Sequence, residues 1–309
     1  FHDQPMAAGR VIAHAVCVIA NKEHHMTLAN VAFDSGTTEH DPRLYDPEVI
    51  AQAEPAGDSL TDQQVAFYQE HGWIAIDQVL TADEVQASLA TIDRLITSPQ
   101  AWRGTLYEAA AKAKLHEMTP EQRRDAVRKL GFYDQEARAC GLPVDHPRLL
   151  RFISQLMGGR KPILFQTMCL LKPPHIGREK PWHQDHAYFN IAVEDRIVGV
   201  WIALDEATVD NGCMQLLDRG HTLGPIHHWK RRDWQICDTD ILGKKSVAVP
   251  LKPGGALFFD SLLPHGTPTN RSPLRRRAMQ FHYAPENHRA ISNDQRMAVF
   301  GTEGKDVSC

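Results

Sequence analysis

The segment Trp182-His183-Gln184-Asp185-His186 places an imidazole and a carboxylate two residues apart. On an extended strand, residues i and i+2 share a face, so His183 and Asp185 would point together into whatever that face encloses. A third ligand is offered farther along, where Phe258-Phe259-Asp260 leads through Ser261-Leu262-Leu263-Pro264 into His265. The turn Lys252-Pro253-Gly254-Gly255 introduces that apolar run. Two histidines and one carboxylate leave three positions open on an octahedral ion, which suits non-haem Fe(II) chemistry. Two of those positions would take the 2-oxo and C1-carboxylate oxygens of a keto acid, and the third would take O2. The keto acid's distal carboxylate then needs a cation, and arginine's planar fork binds carboxylate through two parallel hydrogen bonds. Arg276 stands 11 residues after His265, which leaves chain enough for a turn over 267–273 and a return to the site.

With 17 histidines in the chain, an isolated H-x-D pair carries little weight. The argument rests on its combination with Pro264-His265-Gly266 and an arginine at the right remove. His186, His221, His227 and His228 read as surface or loop residues, and His282 as a structural neighbour of the site strand.

Strands must position these groups, and the chain supplies them in its second half. Short apolar runs at 163–171, 181–191, 198–204, 214–217, 247–251, 256–260 and 276–283 alternate with Pro, Gly and Asp turns. Many short strands with turn signals predict a jelly roll of two sheets. Helices come first. Thr61 and Thr81 read as N-caps of two helices separated by a strand over 73–80. Residues 105–157 read as largely helical, with segments at 108–114, 120–130 and 147–157, the last stopped by Gly158-Gly159. The fold class expected is α+β: a double-stranded β-helix (jelly-roll, cupin-like) core with flanking N-terminal helices. Residues 1–58 lack periodicity and are expected to be a partly ordered arm, and 59–309 a single domain. No internal repeat or low-complexity tract interrupts it.

Composition bounds the function. The 309 residues are 42% hydrophobic and 23% charged, with a formal net charge of -4. A chain of this length buries a core without metal or disulfide staples, so a metal would serve chemistry. Nothing suggests nucleic acid, for which a basic face is expected. The short Arg275-Arg276-Arg277 cluster reads as a strand end with Arg275 and Arg277 solvated. Six cysteines, none in a C-x-x-C pair, fit a reducing compartment. The apolar stretch 11–20 is too short to span a membrane and a poor signal peptide, so a cytoplasmic protein without a membrane partner is expected. The chain opens on Phe1, and Met26 offers an alternative start.

Over most of residues 61–285 the chain resembles the phytanoyl-CoA dioxygenase (PhyH) family. The likeness is strongest at Thr167-Met168-Cys169-Leu170-Leu171-Lys172-Pro173-Pro174, at Trp182-His183-Gln184-Asp185 with Tyr188-Phe189, at Gly199-Val200-Trp201-Ile202-Ala203-Leu204-Asp205 with Asn211-Gly212-Cys213-Met214, and at Pro264-His265-Gly266-Thr267 with Arg276-Arg277-Ala278. The resemblance implies iron on His183, Asp185 and His265. It implies Arg276 on the C5 carboxylate of 2-oxoglutarate, with Thr267 as a hydroxyl partner. It also implies Met168, Gln184 and Trp201 around the co-substrate, although core packing accounts for Met168 and Trp201 equally well. The choice of Arg276 over its neighbours follows the spacing and the Arg-Ala pair after it. The chain departs from the family at Leu217-Asp218-Arg219-Gly220-His221, where Pro-Gly-Ser-His is usual, which puts substrate transfer in doubt but not the iron site.

The implied activity is hydroxylation of a C–H bond of a small molecule (acyl-CoA, carboxylate or natural-product type), with O2 consumed and succinate and CO2 released. Asp185 favours hydroxylation over halogenation, because related halogenases carry a small residue there; desaturation or ring chemistry stays open. Residues 100–160 and 219–245 are expected to form a substrate lid. Within the latter, His227-His228-Trp229-Lys230-Arg231-Arg232 reads as a solvated loop, with contact to an anionic substrate as the alternative. Two rivals remain: a cupin-like Zn or Mn isomerase or hydrolase, and a binding module with a vestigial site. An inward arginine on the strand after His265 argues against the first.

Overall fold

The computed structural model describes residues 32–33, 39–98 and 102–304. The apolar stretch 11–20, Met26, and Cys17 and Cys309 lie outside them. Among the described residues the strands are β1 Ala32–Phe33, β2 Val49–Ile50, β3 Trp73–Ile76, β4 Thr105–Tyr107, β5 Val127–Phe132, β6 Pro162–Lys172, β7 Lys180–His183, β8 Val198–Ala203, β9 Met214–Leu216, β10 His228–Lys230, β11 Trp234–Ile236, β12 Val247–Val249, β13 Ala256–Asp260, β14 His265–Thr267 and β15 Arg276–Pro285. They form an eight-stranded sheet in the order β1-β4-β5-β6-β15-β8-β13-β3, a five-stranded sheet in the order β2-β12-β9-β14-β7, and the hairpin β10–β11.

Strand alternation sorts the side chains of the large sheet into two layers. On one face Met279, Phe281 and Tyr283 of β15 join Val200 of β8 and Phe258 of β13 in a core shared with the helices. On the other face Ala278, Trp201, Leu257 and Phe259 meet Met214, Leu216, Val247 and Val249 of the small sheet. Each such fully buried Leu, Val or Phe contributes roughly 1.5–3 kcal/mol. This is the jelly-roll core expected, with helices outside one sheet.

The helices at the N-terminal side begin where local chemistry says they should. In α1 (Asp62–His71) and α2 (Ala82–Thr97), Thr61 and Thr81 cap the third backbone N–H, and Gln64 and Glu84 reach back to close capping boxes. Gly72 ends α1 in the left-handed region at φ 80°, a conformation glycine adopts without strain. Between 105 and 157 the structure corrects the helical reading. Apart from α3 (Asp134–Ala139) and α4 (Pro147–Leu156), the segment holds β4, β5 and single 3-10 turns at Ala109–Ala111, Leu115–Glu117 and Gln122–Asp125. Alanine and lysine favour helix, but this stretch has no apolar stripe at i, i+3 and i+4 to bury, and tertiary packing overrides propensity. Val127, Leu130 and Phe132 are buried from an extended strand, and β5 joins the sheet edge. α4 behaves as expected, burying Leu149, Phe152, Ile153 and Leu156, with Phe152 edge-on to Phe258 at 5.8 Å.

Two strands are shorter than their apolar runs. The run 73–80 is extended only through Ile76, and Gln78 turns the chain at φ 51°. The run 181–191 is extended only through His183, after which Asp185–Tyr188 forms a 3-10 turn. Residues 39–58 run from the small sheet to the large one: β2 pairs with β12, the Trp182 indole N–H donates to Leu44 O at 2.9 Å, and Glu54 bridges to Ile76 of β3. No helix among the described residues is long and apolar enough to cross a membrane.

Candidate active site

β7 and β14 are neighbours in the small sheet, and their register sets His183 opposite His265. Close approach of the two strands requires Gly266 between His265 and Thr267. A Cβ there would sit 3.1 Å from Lys180 O and 3.2 Å from the Trp182 amide nitrogen. Asp185 reaches the same point from the first residue of its 3-10 turn, not from the strand as expected. Gln184 stays extended at φ -108° and ψ 129°, so the i, i+2 relation to His183 survives although the ladder has ended. The ligand atoms of His183, Asp185 and His265 all lie within 4.8 Å of one another, and all three residues are buried.

The hydrogen bonding of this trio suits a metal ion. His183 Nδ1 lies 2.8 Å from Pro181 O, and His265 Nδ1 lies 2.9 Å from Leu263 O. A carbonyl only accepts, so both rings donate from Nδ1 and turn an Nε2 lone pair inward. Those lone pairs face the Asp185 carboxylate, at 3.1 Å from His183 to Oδ1 and 3.6 Å from His265 to Oδ2. Three electron-pair donors converging without a proton between them call for a cation. Burial pushes the His265 imidazole down to about 4 against the pull of Asp185, so it stays neutral at physiological pH. Burial alone would raise the Asp185 carboxyl, yet His265 and His282 beside it hold it well below the usual carboxylate range.

The trio opens on a cavity of about 380 Å³ between the sheets. Arg276 lies on its wall, only 2% exposed, with its guanidinium carbon 5.2 Å from the centre of the Trp201 ring. Among the described residues its Nη1 makes one long contact, 3.4 Å to Leu170 O, and its Nε has no partner; nor has the Trp201 indole N–H. Burial lowers this guanidinium to about 9, which leaves it charged at neutral pH with no carboxylate bonded to it. A buried cation with idle donors suits an anion entering the cavity. The flanking arginines are otherwise engaged: Arg275 pairs with Asp125 at the surface, and Arg277 binds Asp205 in a fork of 2.8 Å bonds. Alternation on β15 decides this, since only every second residue faces inward.

Met168, Trp201 and Thr267 also line the cavity. Gln184 does not. Its carboxamide donates to Gly224 O at 2.8 Å and Leu262 O at 2.6 Å and accepts from Ile226 N–H at 2.7 Å. It ties the loop at 224–226 to the metal-site turn. Three histidines read as surface or loop residues are buried. His228 accepts the Gln184 backbone N–H at 3.0 Å, and burial lowers it to about 3. His186 bridges Ser261 and Ile191 O, and His221 packs on Gly72. His227 is exposed, as expected. Their burial comes from partners distant in sequence, which spacing does not display.

The cavity wall is basic. Lys230, Arg231 and Arg232 line it where the β10–β11 hairpin turns, together with Arg128 and Lys129 of β5, and Lys230 and Arg231 are exposed, in keeping with a solvated loop. Of the two stretches expected to form a lid, Leu106 of β4, Arg128 and Lys129 of β5 and residues 230–234 of the hairpin line the cavity. Lys180 Nζ holds the hairpin through Asp233 at 2.8 Å and donates to Tyr188 Oη at 2.9 Å. Lys172, buried beside Arg276, donates to Arg178 O and Pro268 O.

Reading from the sequence missed two residues at the metal end. Gln280 and His282 follow Arg276 on the inward face of β15 and both reach Asp185 Oδ2, at 3.1 and 2.7 Å. The strand alternation that turns Arg276 inward carries on to positions 280 and 282 and was the available signal.

Known proteins share this architecture. The rat (Rattus norvegicus) peroxisomal phytanoyl-CoA dioxygenase is 27% identical over 265 residues, spanning 81% of this chain and 74% of its own length. The bovine (Bos taurus) phytanoyl-CoA dioxygenase domain-containing protein 1 is 24% identical over 260 residues, spanning 72% and 89%. Among solved structures, EvdO2 from Micromonospora carbonacea var. aurantiaca complexed with 2-oxoglutarate superposes with a TM-score of 0.56 at 25% identity, covering 76% of this chain and 94% of that one. The non-heme alpha ketoglutarate dependent carbocyclase SnoK from nogalamycin biosynthesis shares the fold, with a TM-score of 0.58 at 21% identity over 77% of this chain and 90% of that one. The family model of phytanoyl-CoA dioxygenase (PhyH) matches residues 68–278, from α1 to the middle of β15, and the chain belongs to that family.

Proposed function

We propose that the protein is an Fe(II)- and 2-oxoglutarate-dependent dioxygenase that hydroxylates a C–H bond of an anionic small molecule. One observation carries the reading: the buried His183, Asp185 and His265 open onto the same cavity as Arg276, a buried arginine with no carboxylate hydrogen-bonded to it among the described residues. Iron held by the trio would, with O2 and 2-oxoglutarate, supply the oxidising equivalent while the keto acid leaves as succinate and CO2. The chain's own residues bind, orient and exclude water. Arg276 and the Trp201 N–H offer donors to the distal carboxylate, and Thr267 adds a hydroxyl on the same wall. Met168, Leu170 and Met214 keep water from the interior.

Asp185 occupies the carboxylate position of the trio, which supports hydroxylation over halogenation. The cations of β5 and of the β10–β11 turn support a substrate carrying carboxylate or phosphate groups, such as an acyl-CoA or an acidic natural product. A non-oxygenase using Zn or Mn would have no keto-acid tail for Arg276 to meet. Among the described residues Cys169, Cys213 and Cys237 are free thiols, which supports a reducing, cytoplasmic setting.

The test is spectroscopic. Fe(II) and then 2-oxoglutarate are added to metal-free protein without oxygen. A weak visible charge-transfer band that needs both is expected. No band from folded, metal-loaded protein would move the assignment to the Zn or Mn class, and no metal uptake would indicate a vestigial site. With the band present, a screen of anionic substrates for succinate release distinguishes hydroxylated from desaturated or cyclised products.

A further inference from the structure

The two oxygens of Asp185 keep different company. Oδ1 lies 3.1 Å from His183 Nε2, and the second imidazole ligand, His265, has its Nε2 3.6 Å from Oδ2. Oδ2 is met by His282 Nε2 at 2.7 Å and by Gln280 Nε2 at 3.1 Å, both from the inward face of β15. His282 is fully buried, its ring lies 5.0 Å from that of Phe189 and 6.1 Å from that of Phe165, and its Nδ1 has no partner. Among the described residues the polar groups this imidazole bonds are therefore Asp185 and Gln280, both through Nε2. A carboxylate oxygen at 2.7 Å requires a proton on that Nε2. The Gln280 amide is fixed by the same logic, because its carbonyl oxygen turned toward Oδ2 would set two acceptors 3.1 Å apart.

We propose that His282, assisted by Gln280, is a positioning residue for the metal: both donate to Asp185 Oδ2 and commit Asp185 to bind the ion through Oδ1 alone. This rests on the metal-centre reading above. Two donors saturate Oδ2, and a carboxylate bound through one oxygen leaves three positions of an octahedral ion open beside the two imidazoles. A carboxylate free to pivot would chelate through both oxygens and take one of the positions that 2-oxoglutarate and O2 need. One strand thus serves both ends of the cavity, with Arg276 at its start for the anion and Gln280 and His282 beyond it for the ligand carboxylate.

The experiment titrates the metal-free full-length chain with Co(II) under anaerobic conditions, reading affinity and the visible d–d absorption. Unfolding midpoints are recorded in parallel. His282→Leu is expected to weaken Co(II) binding by about 10–100-fold, as loss of such supporting partners does, and to change the d–d spectrum. His282→Gln, which keeps an N–H donor, restores most of both. His282→Leu that folds and binds Co(II) with wild-type affinity and spectrum overturns the proposal. Should His282→Leu not fold, Gln280→Leu decides: weaker binding with an altered spectrum supports the proposal, and no change overturns it. Failure of the metal-centre reading looks different, because wild type and His265→Ala would then bind Co(II) alike.

Discussion

His265 lies directly across the β7–β14 ladder from His183, with ring centres 4.3 Å apart. Two imidazoles held that close, each tied at Nδ1 to a carbonyl two residues earlier in its own chain, leave one place where both lone pairs point. His183→Ala and His265→Ala should each abolish tight Fe(II) binding while Arg276→Leu leaves it intact. Metal content after anaerobic loading and desalting checks this. The metal-free wild type should remain folded, because its two hydrophobic layers are packed from apolar side chains and need no ion to staple them. Loss of the cooperative thermal transition on chelation would contradict that view.

Arg276 is expected to act on 2-oxoglutarate and not on metal. Hydrogen bonds to a charged group are worth about 1.5–3 kcal/mol, so Arg276→Leu should weaken 2-oxoglutarate binding by roughly 10–100-fold. Arg276→Lys should recover part of this, since it restores charge without the fork. The anaerobic charge-transfer band, titrated with 2-oxoglutarate, gives the constants. Equal affinities for wild type and Arg276→Leu would remove Arg276 from the co-substrate site.

Gln184 should prove structural despite its place between two metal ligands. Gln184→Ala strands Gly224 O, Leu262 O and Ile226 N–H. Leaving buried polar groups unpaired costs about 1–3 kcal/mol. A lower denaturant midpoint with little change in 2-oxoglutarate affinity is expected. The reverse pattern would return Gln184 to the co-substrate.

Asp233 links stability to pH. Burial would raise its carboxyl, but Lys180 Nζ at 2.8 Å and the Trp234 N–H hold it well below the usual carboxylate range. A carboxylate depressed on folding stabilises above its unfolded value, near 4, and loses that contribution as the pH falls below it. Asp233→Asn should therefore be less stable than wild type at pH 7, with the gap closing toward pH 3. Urea unfolding of both proteins across this range measures it, and a gap independent of pH would disprove the linkage. The variant should also loosen the β10–β11 turn and raise the KM for an anionic substrate.

Much of the site was legible in the chain itself because its cues are local. The spacing of His183 and Asp185, the Pro-His-Gly at His265 and the single inward parity of Arg276 each need only a few residues to read. So do the Thr61 and Thr81 caps, whose hydrogen bonds close within three residues. What the sequence could not display is which distant group each face meets. The residues 105–107 and 127–132 look helical by composition, and only a free sheet edge beside β6 makes them strands. Gln184 has the same identity whether it faces a ligand or a loop; the fold spends its three polar contacts on residues up to 78 positions away. His282 becomes a partner of Asp185 only when β15 is laid against β6 and β8 beneath the metal-site turn. Periodicity determines the face a side chain takes, and tertiary structure alone determines what stands opposite, because burial and hydrogen bonding are satisfied by neighbours in space.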